Sequence, residues 1–599
     1  MQESHSPRVN TSAEGWLEVI DADSPILLIA PHGGRAEART RALLNPKVND
    51  LHTADITRGL AARLGASALI NVAMDRNRLD CNRISQIVER APWLLEMIEE
   101  RVSASIARHG RAVVLLVHGW NIIEPRVDFG LGLRTFGGEL RAPGAACVSA
   151  SDDFINGPLT ELAERLRGHG IKPTYGMRYP GGGLQNLLQA FTRRHCESTV
   201  ASLRAISETA VSGAVEAAQL ELSVALRMPG ELRSKCEDAI AASFSSAPNG
   251  TSAVASRAPI IVNRAPRPAS PKREIGAAAT VSVPGRVGIE FYDPVARIGA
   301  MASFDIGSAG MGARIMVLFE GRRVGLFTAE GRPVRSEKDV RHGPLSLTRE
   351  GNTIALSFCG PAVIVPDATA YLSIERALAS GRLDGSMEVG VRFELPEGEF
   401  EFDRILAPSE PGAVAPAASA AFGHAVGSVC IAGATRSVSG FARAGMSFTG
   451  LGPQNFSARR MLWACFEDNC DGAPTALEVR SVASDDAPPV ESARVLIDEQ
   501  WNSCELCELV IDTASVEEPP HGVSASIAYP DGRLFSLTGR EECFIPLSRP
   551  GPEQSRIYTS LGFASFQSGS NRGAGMFEYS RRAESVLTSI DDSDDSDTD

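Results

Sequence analysis

The 599-residue chain has no apolar stretch approaching the roughly 18 residues that a membrane-spanning helix requires. Its first residues, MQESHSPRVNTS, contain no basic segment leading into an apolar one, so neither a spanning helix nor a cleaved secretory signal is expected. Cysteine is sparse: eleven residues, an odd number, lie scattered without dense spacing. That pattern argues against a disulfide framework and for a reducing compartment, the cytoplasm. Basic charge is not in excess either. Lys and Arg number 59 against 73 Asp and Glu, a net charge of -14, and the terminal run DDSDDSDTD supplies part of it, leaving a mildly acidic body with no footprint for nucleic acid.

What is present is ample core material, 43% apolar residues, in a chain too long for one core. The reading is a multidomain protein: an α/β, mostly parallel sheet followed by an all-β tandem barrel region. Residues 1–19 are expected to be a flexible N-terminus. Residues 20–245 alternate short apolar runs (25–30, 68–73, 112–117) with helical patterns (54–64, within 84–108, 159–167, around 184–209), the pattern of an α/β domain. Residues 246–284 are rich in Ala, Pro and Ser, with Arg257, Arg264, Arg267, Lys272 and Arg273 opposed only by Glu274, which reads as a linker. Then come short β-like runs such as RVGIEFY, ARIMVLFEG, TIALSFCG and GVSASIAY, divided into expected barrels at 285–415 and 416–582 with a seam near 408–422. Residues 583–599 form an acidic tail.

The chemistry concentrates in the front part. One apolar run, ILLIA, leads into Pro31, His32, Gly33, Gly34, Arg35, Ala36 and Glu37, and another, AVVLLV, ends on His118. In open α/β sheets, ligands gather beyond the carboxyl ends of the strands, so His32, Glu37 and His118 are placed to converge. Two His and one carboxylate with an open fourth position is a catalytic zinc arrangement. Singly, His32 reads first as a solvent-facing imidazole in a strand-to-loop turn and His118 as a hydrogen-bonded core histidine, the more common fate of a lone His beside an apolar strand. Gly33 and Gly34 are expected to allow a tight turn that brings Glu37 beside His32. The segment Asp75 to Arg83, DRNRLDCNR, is either a solvated loop or a carboxylate clamp, in which Arg76, Arg78, Asn82 and Arg83 offer amides and planar forks. Glu221 lies inside the apolar stretch AAQLELSVALR, where an unpaired carboxylate is costly and so more often functional.

The order of these parts, PHGG with a Glu five residues after the His, then RNRLDCNR, VHGW and QLEL, resembles the N-formylglutamate amidohydrolase family. The HGGxxE segment also looks like the phage-type poly-γ-glutamate hydrolases. The resemblance covers residues 20 to 240 and implies a zinc carboxypeptidase type of α/β fold. It implies Zn2+ bound by His32, Glu37 and His118, with Asn82 and Arg83 holding the carboxylate of an N-acyl amino acid or γ-glutamyl substrate. Arg76 would then polarise the scissile carbonyl and Glu221 would be the general base. PRVDFGLGLR (125 to 134) also looks like the family segment after the second His. Where relatives carry an Asp before that His, this chain has Val117, so another group is expected to orient His118.

In the β-rich part, SFDIGSAGMGARIMVLFEGRRVGLF, GSVCIAG, VSGFARAGMSFTG, RRMLWACF and GAGMFEYSRR resemble the AttH-like and carotenoid-hydratase family, two lipocalin-like barrels in tandem. The Arg-Asp-His-Ser-Trp-Gly of relatives is replaced here by Arg443, Ala444, Gly445, Met446, Ser447 and Phe448. With acid and imidazole gone, hydratase chemistry is not expected, while eight-stranded barrels can still hold a small hydrophobic or lipid-like ligand. The lone CxxC of Cys504 and Cys507 and the glycines Gly181 to Gly183 lack the context of a metal or phosphate motif. Two functions therefore stand: a zinc-dependent amidohydrolase with an appended ligand-binding region, or a non-catalytic binder of a hydrophobic molecule.

Overall fold

The computed structural model describes residues 15–36, 47–136, 139–141, 145–245, 260–262, 286–305, 311–336, 338–394, 420–447, 456–467, 475–484, 489–497, 500–512, 522–550 and 555–583. The expected acidic tail at 583–599 lies outside them apart from Ala583. The described residues divide into two compact units, one drawn from those before residue 278 and the other from those after it together with 122–124. Among the described residues no helix is long and apolar enough to cross a membrane.

The first unit is built on strands β1 (Leu17–Ile20), β2 (Ile26–Ala30), β3 (Ser67–Asn71), β4 (Ala112–Trp120), β5 (Arg126–Gly130), β6 (Arg134–Phe136), β7 (Glu139–Arg141), β8 (Lys172–Tyr175), β9 (Val215–Ser223) and β10 (Ile260–Val262). Eight of them form one sheet in the order β10-β1-β3-β2-β4-β9-β5-β8, while β6 and β7 pair only with each other. The β2–β3, β2–β4, β4–β9 and β5–β8 pairings are parallel. Residues β2 and β4 read as unbroken apolar runs because both sheet faces are covered. Leu28, Ala30, Leu115 and Val117 enter one core cluster with the helices Thr53–Leu64 and Glu231–Ser245. Leu27, Ile29, Val114 and Leu116 enter the other with the helix Pro92–His109. Burying each such side chain contributes about 1.5–3 kcal/mol, which fixes strand register and therefore the strand ends where the polar residues begin.

Several boundaries differ from the sequence expectation. The sheet starts before residue 20, since β1 begins at Leu17 and Trp16 is 5% exposed. Within the expected linker, Ile260–Val262 pairs with β1, and the rest lies outside the described residues. The helix expected within 84–108 is two, Ile84–Arg90 and Pro92–His109, because Pro92 has no N–H to continue the first and suits the opening turn of the second.

In the second unit, strands Arg286–Asp293, Ile298–Asp305, Met311–Phe319, Arg323–Glu330, Thr353–Val365, Arg382–Glu394, Ala420–Ile431 and Ala434–Ser447 form a ring. It closes where Val324–Leu326 pairs with Val363–Val365. The last two strands belong to this ring, so the division expected at 415/416 falls instead after Ser447. Val389 to Phe393 pairs with Ala425 to Val429, and Ala421 to Gly445 completes a hairpin against Arg286–Tyr292. The Pro- and Ala-rich stretch near 408–419 that suggested the seam lies outside the described residues. A second closed barrel runs from Ala458–Phe466 to Asn571–Ala583, whose pairing seals it. Apolar side chains such as Leu462, Phe466, Val479, Ile527 and Phe577 form its core.

Between the two barrels lies a buried ion cluster. Glu478, 3% exposed, accepts from Arg443 at 2.8 Å, Arg480 at 2.6 Å and Arg494 at 2.8 Å. Arg443 also reaches Glu290 at 3.4 Å, and the Trp463 indole donates to Glu290 at 2.9 Å. Burial opposes the Glu478 charge, but the three guanidiniums outweigh it and hold the carboxyl far below its usual range. A depressed folded-state pKa stabilises the fold above the unfolded value, and the contribution fades as pH falls below about 4. Glu478→Gln is therefore expected to destabilise the barrel unit at pH 7 by about 3–5 kcal/mol, with the deficit narrowing below about pH 4. Calorimetry of the barrel transition checks this, and an unchanged melt at pH 7 contradicts it.

Candidate metal centre

The carboxyl ends of β2 and β4 deliver His32 and His118, both 2% exposed. His32 follows Ala30 and Pro31 at the end of β2, and Asn71 of β3 ties the Pro31 carbonyl down through its amide at 2.9 Å. His118 still lies within β4 and is directly opposite Glu221 of β9. On the far side of Glu221, β5 places Asp128 in register. Three neighbouring strands thus present an imidazole and two carboxylates in a row.

The third member of the centre is Asp50, which the sequence reading missed. Its backbone N–H donates to the His32 carbonyl at 2.8 Å. The Thr53 hydroxyl donates to the Asp50 carbonyl at 2.7 Å at the start of the helix Thr53–Leu64. Asp50 Oδ2 lies 3.3 Å from His32 Nδ1 and 3.4 Å from His118 Nδ1, and it accepts the Gly119 N–H at 2.9 Å. Candidate ligand atoms of His32, Asp50 and His118 all lie within 4.8 Å of one another. In sequence, an Asp just ahead of a helix reads as a cap, and only the fold shows it turned toward the histidines. Glu37, the carboxylate expected in this place, lies outside the described residues.

The donor set fits a zinc ion. Charge-assisted N–H···O bonds run about 2.7–2.9 Å, shorter than the two Asp50–imidazole distances. Tetrahedral ligands bound at about 2.0–2.1 Å would stand about 3.3–3.4 Å apart, which matches them. The other ring nitrogen of His32, Nε2, meets Asp80 Oδ1 at 2.7 Å, the carboxylate–histidine pairing that orients metal-bound imidazoles. His118 Nε2 is buried and has no hydrogen-bond partner among the described residues. The orienting group expected for His118 in place of an Asp at Val117 is therefore not found among the described residues.

The charges are strongly coupled. Burial works against the His32 cation, yet Asp50 and Asp80 raise its pKa. His118 is pushed down to about 4 by burial, against the pull of Asp50. Burial also opposes ionised Asp50, but the two imidazoles hold it well below the usual range. Glu221, 4% exposed, is driven well above the usual carboxylate range by burial and then by Asp50. The Gln219 amide donates to Glu221 Oε1, and Asn186 donates to the Gln219 oxygen at 3.3 Å.

These groups line a cleft of about 550 Å³ together with Lys47, Arg76, Asn82, Arg83, Arg178 and the Gly181 to Gly183 segment. Arg76 bonds the Val48 carbonyl at 2.9 Å and Asp50 Oδ1 at 3.3 Å. Asn82 accepts the Leu187 N–H through Oδ1 at 3.3 Å, and Arg83 is exposed at the cleft wall. Arg78 does not line the cleft. It is exposed, and its carbonyl accepts from Arg90. Arg178, absent from the sequence reading, is positioned by Asp128, which accepts the backbone N–H groups of Met177, Arg178 and Tyr179 at 3.0, 2.9 and 3.1 Å. Gly33 and Gly34 do not take the left-handed backbone of a glycine turn. They are needed for close approach, since a Cβ on Gly34 would sit 1.9 Å from the Met74 oxygen and one on Gly33 2.5 Å from that of Asn71.

No protein-family model matches this sequence, and comparison with curated proteins gives no match. Among solved structures, the chain is similar to N-formylglutamate amidohydrolase from Ralstonia eutropha JMP134, with 13% identity and a TM-score of 0.26, covering 39% of this chain and 96% of that one. It is similar to a protein described as AttH from Nitrosomonas europaea, with 13% identity and a TM-score of 0.29, over 49% of this chain and 91% of that one. It is also similar to kievitone hydratase from Nectria haematococca, with 10% identity and a TM-score of 0.29, over 50% and 89%. At such identities and scores these likenesses carry no conclusion about activity.

Asp50→Ala is expected to abolish stoichiometric zinc binding while leaving the fold intact. Elemental analysis beside circular dichroism checks this, and a folded variant that keeps its zinc contradicts the ligand assignment.

Proposed function

We propose that the α/β unit is a zinc-dependent amidohydrolase acting on an N-acyl amino acid, as in N-formylglutamate, or on a γ-glutamyl compound. The observation that carries this reading is the meeting of His32, Asp50 and His118 beside the buried carboxylate of Glu221, in a cleft lined by cationic side chains. The ordered motifs PHGG, DCNR, VHGW and QLEL support the same class. The ten described cysteines are all free, which supports a reducing compartment, the cytoplasm.

Bound zinc would acidify its water from a pKa of about 15.7 toward about 7 and polarise the amide carbonyl. In this reading Glu221 takes the proton of the attacking water and passes it to the leaving amine as the C–N bond breaks, yielding a carboxylic acid and an amine. Gln219 holds the carboxylate by its amide, which favours the form able to accept a proton. Arg76 lines the same cleft beside Asp50, and in this reading its guanidinium stabilises the carbonyl oxygen as charge develops on it. Arg83 and Asn82 hold the substrate carboxylate. The Leu187 N–H engages Asn82 Oδ1, which leaves the Asn82 amide nitrogen as its donor group.

Glu221→Gln keeps the shape and removes the base. It is expected to retain zinc and to lose roughly 10²- to 10⁴-fold in kcat on the best substrate of a panel of N-formyl, N-acetyl and γ-glutamyl amino acids. A variant that turns over at the parental rate contradicts the role of Glu221, and a parental protein inactive on the whole panel contradicts the substrate class.

A further inference from the structure

Arg227 is 1% exposed, and among the described residues its guanidinium bonds no carboxylate. Its Nε donates to the Leu222 carbonyl at 3.0 Å, Nη1 to the Leu51 carbonyl, and Nη2 to the Trp120 carbonyl at 3.3 Å and to Asn121 Oδ1 at 3.2 Å. The identity of these acceptors is informative. Leu222 directly follows Glu221, Leu51 directly follows Asp50, and Trp120 is two residues beyond His118. One planar cation therefore ties together the three chain segments that carry the carboxylate ligand, the second imidazole and the base.

A buried guanidinium satisfied only by neutral oxygens is costly to keep, and an apolar side chain would fill the same space more cheaply. Only Arg presents donors in a rigid plane pointing several ways. A Lys ammonium is a single point at the end of a flexible stem. Gly119 completes the device. A Cβ there would lie 2.7 Å from Arg227 Cζ and 2.9 Å from Asp50 Cβ, and the Gly119 N–H donates to Asp50 Oδ2 at 2.9 Å. The closeness of Arg227 to the Asp50 side therefore depends on residue 119 having no side chain.

We propose that Arg227 is a positioning residue that fixes Asp50, His118 and Glu221 relative to one another, and so sets the spacing of the metal ligands and the placement of the base. The proposal rests on the reading of these residues as a metal-dependent hydrolytic site. It makes Arg227 neither a ligand nor a group that meets substrate.

The test compares the full-length protein with Arg227→Lys and Gly119→Ala. The readouts are thermal melting, zinc affinity by chelator competition, the visible spectrum of the cobalt(II)-loaded form, and kcat and KM on the best substrate. Arg227→Lys is expected to fold, to bind zinc roughly 10- to 100-fold more weakly, to show an altered cobalt spectrum, and to lose kcat rather than KM. A folded Arg227→Lys protein with parental zinc affinity and cobalt spectrum overturns the proposal and leaves the hydrolase reading standing. A parental protein that binds no zinc overturns both. Should Arg227→Lys fail to fold, Gly119→Ala decides: weakened zinc binding with a changed spectrum supports the proposal, and parental values overturn it.

Discussion

The Asp50 carboxylate is the contact on which the front unit's polar cluster depends. It is buried, and it faces His32, His118, the Gly119 N–H and Arg76 at once. An isolated carboxylate could not remain charged at such a place, so its neighbours must supply the compensation that water would otherwise give. A carboxylate drawn equally toward two imidazoles that stand too far off for short hydrogen bonds is poised for a shared cation. The surrounding groups are arranged on the same terms, with Asp80 behind His32 and Lys47 on Asp80 at 2.8 Å.

The fold explains how residues so distant in sequence arrive together. Parallel pairing of β2, β4 and β9 aligns three carboxyl ends, and the covered faces lock each strand's register through buried Leu, Ile and Val. A slip of one residue in β9 would turn Glu221 to the opposite face and put an apolar side chain into the cleft. The cost of that slip is paid in hydrophobic burial, many times larger than any single polar contact at the site. Apolar packing therefore positions the polar groups, and hydrogen bonds such as those from the 177–179 backbone N–H groups to Asp128 only refine the walls.

How much of this was legible in the sequence follows from which signals are local. His32, His118 and Glu221 could be found because each abuts an apolar run whose strand character is plain, and Arg76, Asn82 and Arg83 because they cluster beyond the next strand. Asp50 could not, since its role arises from a backbone bond to His32 and a helix start that in sequence resemble an ordinary cap. Arg78 is grouped with its neighbours by proximity alone, and the turn closed on the Asp75 carbonyl leaves it exposed. Arg178 depends on Asp128, 50 residues away. In the barrel unit the short strands were readable, but the ring to which Ala420–Ser447 belongs was not, because strand partners in a closed barrel are set by shear and closure rather than by composition.

The most direct test of the account is zinc-edge X-ray absorption on the protein as purified. The account predicts about one zinc per chain coordinated by nitrogen and oxygen alone, with the scattering pattern of two imidazoles. Absence of zinc, or sulfur among its ligands, would contradict it.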